Sequence, residues 1–172
     1  MSKPQRLAKC QKIADFYHSI DATPRDARLA DGPECKTLRA LLIKATGAEF
    51  RRVSPSGERV FLYHPISDEI NFSCAAHGLT PDISLGWEKG AAPSKAWVAL
   101  AVKAAQVITD EPAKTLRSGI DKCYRDALAD PSTEMASMEL PKSKIDCQAF
   151  ARDGGAGSMT FYIDDIKDRA NN

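Results

Sequence analysis

Residues 49–87 hold short runs in which polar and apolar side chains alternate, separated by turn-forming residues, and no other stretch constrains the fold as much. Val60, Leu62 and His64 alternate with Arg59, Phe61 and Tyr63. Ile70, Phe72 and Cys74 alternate with Asn71 and Ser73, and Ile83, Leu85 and Trp87 alternate with Asp82, Ser84 and Gly86. A period of two over runs this short dictates β-strands with one apolar face. Ser54-Pro55-Ser56-Gly57, then His64-Pro65 to Ser67-Asp68, then residues 78–81 supply the turns. The stretch reads as a four-strand antiparallel meander.

A second strand pair closes the chain. Ile145, Cys147 and Ala149 alternate with Asp146 and Gln148, and Met159, Phe161 and Ile163 alternate with Thr160 and Tyr162 around the glycine-rich loop 153–157. That loop runs from strand to strand with no helix behind it, so it reads as a hairpin turn and not as a phosphate cradle. An isolated hairpin is marginal in water, so this one is expected to join the meander's sheet.

Apolar residues at spacings of three and four predict four helices. The first covers residues 4–20, with Leu7, Cys10, Ile13, Ala14, Tyr17 and Ile20 in its stripe. The second follows Asp31-Gly32-Pro33-Glu34, carries Leu38, Leu41 and Leu42, and stops at Gly47. The third, from Trp97 to Ile108, is apolar almost all round and so central; the fourth carries Leu116, Ile120, Cys123 and Ala127. Residues 130–142, with Pro131, Pro141, Met135 and Met138, read as a short helix or a mobile loop. The expected architecture is a single α+β domain over residues 1–172. It is a two-layer sandwich in which four helices cover an antiparallel sheet of about six strands, four from the meander and two from the C-terminal hairpin. Coverage of both sheet faces is the alternative.

Composition bounds the function only loosely. A hydrophobic fraction of 43% and a charged fraction of 27% belong to an ordered globular chain, and a net charge of +1 makes no strong global field. Residues 1–60 carry twelve Lys and Arg against seven acids, which permits a basic face. No run approaches the length of a membrane span, and the N-terminus leads into a charged amphipathic segment without an apolar leader core. Five cysteines, an odd number at 10, 35, 74, 123 and 147, do not resemble a disulfide framework. These features predict reduced thiols and a cytoplasmic protein.

Three constellations could carry chemistry. Phe61 and Tyr63, and likewise Phe150 and Tyr162, fall out of phase with the apolar sets of their strands, so Phe61, Tyr63 and Tyr162 are expected on an open sheet face as a contact surface for a protein partner or a second copy. Lys3, Arg6, Lys9 and Lys12 recur every three residues, and Arg51, Arg52 and Arg59 cluster on the first hairpin, which offers a strip for nucleic-acid phosphates as an alternative. Cys74 and His77, three apart at a strand end, are a weak candidate pair of metal ligands; a cysteine–histidine nucleophilic site would use Cys74 or Cys147 with His77 or His64 and an orienting Asp68 or Asp82. Both cysteines are in phase with the apolar set and fit the core equally well. No enzyme motif and no cofactor are implied, so the leading expectation is a non-catalytic binding or accessory protein acting through a sheet face, as a homodimer or with a partner.

Overall fold

A computed structural model of the chain describes residues 29–74, 81–88, 92–151 and 154–163. Within them lie a 3-10 turn at Leu29–Asp31, helices α1 (Pro33–Thr46), α2 (Lys95–Thr109) and α3 (Ala113–Ala129), and strands β1 (Glu49–Val53), β2 (Arg59–His64), β3 (Ser67–Ser73), β4 (Asp82–Trp87), β5 (Met135–Glu139), β6 (Lys144–Phe150) and β7 (Ala156–Tyr162). The class is α+β, with seven antiparallel strands where six were expected and three helices among the described residues where four were expected. The predicted helix over residues 4–20 lies outside the described residues.

Local chemistry sets the helix ends. Pro33 occupies the first turn of α1, and Gly47 closes it at φ 75° with its N–H on the Ile43 carbonyl. Ser94 caps α2 by accepting from the Trp97 N–H at 3.0 Å. The seventh strand corrects the reading of residues 130–142. The Asp130 carboxylate gathers the N–H groups of Ser132 and Thr133 (2.8 and 3.2 Å) and both their hydroxyls, and Glu134 at φ 52° then turns the chain out of α3 into β5. With methionine at both Met135 and Met138, β5 shows no clean alternation, and its identity as a strand comes from pairing with β6.

The sheet order is β1-β2-β3-β4-β7-β6-β5. From β4 the chain crosses through α2 and α3 to the far edge, lays down β5, and returns through β6 so that β7 docks beside β4, from Asp82↔Tyr162 to Trp87↔Gly157. The hairpin therefore joins the meander as expected. Val60, Leu62, Ile70, Phe72, Ile83, Leu85, Ile145, Met159 and Phe161 are all buried on one face, where α2 packs on β4 and β7, α3 packs on β5 and β6, and α1 packs beside α2. Trp87 and Trp97 meet edge to face at 5.1 Å, and the Trp97 indole N–H donates to the Gly86 carbonyl at 2.8 Å. Among the described residues no helix lies on the opposite face, whose side chains are half-exposed along β3, β4, β6 and β7.

The cysteines overturn the expectation of free thiols. Cys35 of α1 is bonded to Cys74 at the end of β3, with Cα atoms 5.3 Å apart, and Cys123 of α3 to Cys147 of β6, with Cα atoms 6.0 Å apart. Each disulfide joins a helix to the strand layer beneath it. Cys10 lies outside the described residues.

Candidate binding surface at one end of the sheet

The strand register arranges the uncovered face in rows. One row runs Arg59–Ser73–Asp82–Tyr162–Lys144–Glu139, and the next runs Phe61–Asn71–Ser84–Thr160–Asp146–Ser137. Phe61 and Tyr63 are neighbours on β2, while Tyr162 stands three strands away, roughly 14 Å across the sheet. Polar side chains fill the interval. Arg59 donates to Asn71 at 2.8 Å and forms an ion pair with Asp82, which also accepts from Ser73; Ser84 and Thr160 share a hydrogen bond of 2.6 Å. The Tyr162 hydroxyl donates to Asp146 at 2.9 Å. The expected aromatic patch is thus two separate sites divided by a hydrogen-bonded polar field.

Of the two, the end bearing Tyr63 is built as a recess. A cleft of about 650 Å³ is lined by Phe50 and Arg51 of β1, Tyr63 and His64 of β2, Ile66 at the β2–β3 turn, Asp68 at the start of β3 and Glu88 after β4, among others. Tyr63 is 52% exposed, Phe50 48% and Ile66 42%, so three of the six exposed large hydrophobic residues among those described line this one cleft. His64 Nδ1 accepts from the Ile66 N–H at 3.2 Å and thereby holds the turn that presents Ile66. The β3–β4 pairing begins only at Ile70↔Leu85, and Ser67 instead donates to the Gly86 carbonyl at 2.7 Å. At this corner the Asp68 and Glu88 carboxyls share a hydrogen bond, which together with their mutual repulsion raises the Glu88 pKa. Among the described residues no lysine or arginine forms an ion pair with either.

The remaining candidates are placed as follows. Phe61 is half-buried beneath the Arg52 guanidinium, 3.8 Å from its ring centroid, so cation and ring occupy one another. Arg59 is held by Asp82, and only Arg51 of the three hairpin arginines reaches the cleft. Lys9, Lys12 and His77 lie outside the described residues. The metal and nucleophile readings of Cys74 are corrected, as is the nucleophile reading of Cys147: each sulfur is bonded to another sulfur and presents no thiolate. Among the described residues no group of three or more His, Cys, Asp or Glu could hold a metal ion, and no helix is long and apolar enough to cross a membrane. Phe50 and Ile66 were missed in the sequence, although an isoleucine within a turn, directly after Pro65, is a visible signal.

The chain matches no protein-family model, no curated protein and no solved structure. Its chemistry is therefore read from its own residues.

Proposed function

We propose that this is a non-catalytic binding or accessory protein that engages a protein partner through the Tyr63 end of its sheet, with Tyr63 and Ile66 as apolar anchors, Phe50 beside them under the Arg39 guanidinium at 4.8 Å, and Arg51 as the polar contact at their side. The observation that carries the reading is the gathering in one cleft of three of the six strongly exposed large apolar side chains among the described residues. A second copy of the chain is the first partner to test. The two disulfides favour an oxidising compartment as the place of action over the cytoplasm expected from unpaired thiols.

Sedimentation of the wild type beside a Tyr63→Ser, Ile66→Ser double variant tests this reading. A concentration-dependent dimer that the double variant loses, with its circular dichroism unchanged, is the expected result. A monomer at every concentration, together with no partner whose binding depends on these residues, would remove it. Retention on heparin that falls steeply with salt and requires Arg51 would favour the nucleic-acid reading instead.

A further inference from the structure

The two edges of the sheet are built differently. At β1 the pairing is broken by a bulge between Phe50 and Arg52, and the strand carries Arg51 and Arg52; bulge and charge both blunt an edge against another strand. β5, at the opposite edge, pairs with β6 without a break from Met135↔Gln148 to Glu139↔Lys144 and contains no lysine, arginine or proline.

The bonds from Ala149 N–H to the Glu134 carbonyl (2.9 Å) and from Leu140 N–H to the Ser143 carbonyl (2.8 Å) fix the phase of this ladder. Ala136 and Met138 therefore turn their backbone groups toward β6, while Ser137 and Glu139 turn theirs outward, where no described group bonds them.

Beside this edge, on the helix side of the sheet, lies a groove of about 480 Å³ lined by Gly119, Met138 and Leu140 and by Lys114 and Lys122 of α3. Lys122 pairs with Asp126 at 2.6 Å, both side chains being largely exposed, and among the described residues Lys114 has no ion-pair partner. An open strand edge and an apolar groove rimmed by cations thus lie side by side.

We propose that β5 receives an extended acidic peptide segment of a partner protein as an eighth strand. Main-chain bonds to Ser137 and Glu139 hold it, alternate apolar side chains enter the groove over Met138 and Leu140, and flanking acids meet Lys114 and Lys122. A second copy of this chain is the poorer occupant. Pairing β5 with itself about a two-fold axis sets the lysine rims of both copies side by side, a like-charge contact that opposes closure. This edge is remote from the Tyr63 cleft, at the other end of the strand order, so the two proposals stand or fall separately.

The test measures fluorescence anisotropy of a short labelled peptide of alternating leucine and threonine with glutamate at both ends. Its comparators are the same peptide with lysine ends and the same peptide N-methylated at alternate backbone amides. The glutamate-ended peptide is expected to bind, the lysine-ended one about tenfold more weakly or worse, and the N-methylated one not at all. A Lys114→Glu, Lys122→Glu double variant should reverse the charge preference, and Tyr63→Ser should leave binding unchanged. Equal binding of the N-methylated peptide, no binding of any peptide, or a dimer of the free protein that Ser137→Pro disrupts would each overturn the proposal.

Discussion

The Asp68 and Glu88 carboxyls, one at the start of β3 and one just after β4, share a hydrogen bond at the rim of the cleft and raise the Glu88 pKa above the ordinary glutamate value. A carboxyl whose pKa is higher folded than unfolded supports the fold below its unfolded pKa, and that support is lost as pH rises through the folded value. Asp68→Asn removes the repulsion. Its melting temperature should therefore exceed that of the wild type at neutral pH, and the difference should shrink as pH falls below the glutamate range. A difference independent of pH would refute the pairing.

The two disulfides close loops with sequence separations of 39 and 24 residues. Chain entropy alone values these at about 4 and about 3.5 kcal/mol. Thiol titration of the unreduced protein in denaturant should find one free thiol of the five cysteines. Urea unfolding with reductant should show a lower midpoint, and Cys35→Ser and Cys123→Ser should each account for part of the loss.

Gly157 is required by its neighbour across the sheet. A Cβ at this position would overlap the Trp87 ring and the Gln148 carbonyl, so Gly157→Ala must displace a buried tryptophan or the β6–β7 ladder. The expected cost is about 3 kcal/mol, read as a shift in the urea midpoint with the slope preserved. Gly86→Ala is the control: its new methyl would meet only ordinary contacts at 3.6 Å and beyond.

Glu111, in the loop between α2 and α3, is 2% exposed and accepts at Oε1 from the Lys142 N–H (2.5 Å) and the Ser143 hydroxyl (3.3 Å), fastening the β5–β6 turn to the helical layer. Among the described residues its Oε2 has no hydrogen-bond partner. Glu111→Ala strands both donors and should cost about 1–3 kcal/mol, whereas Glu111→Gln keeps the Oε1 acceptor and should cost less. Equal losses in thermal unfolding would show that the carboxylate charge, and not the acceptor, matters here.

Much of the fold was legible before any tertiary contact was known. Alternation placed β2, β3, β4, β6 and β7 and assigned their buried faces, because a strand with one covered side must repeat every two residues; Val60 and Leu62 are buried while Tyr63 is open. Stripes and caps placed α1, α2 and α3 in the same way. β5 was not legible, since an edge strand bearing methionine at two of its five positions has no alternation to read and is defined by its partner.

What the sequence determined by itself was local: periodicity, caps and turns, each the product of residues a few positions apart. The tertiary structure alone decided the cysteine pairing, the separation of Tyr162 from Phe61 and Tyr63, and the meeting of Phe50, Tyr63 and Ile66 in one cleft. Those relations depend on which strands lie side by side. Here β7 docks against β4 across 68 residues of intervening chain, a choice made by burial of the shared apolar face, and no local pattern records it.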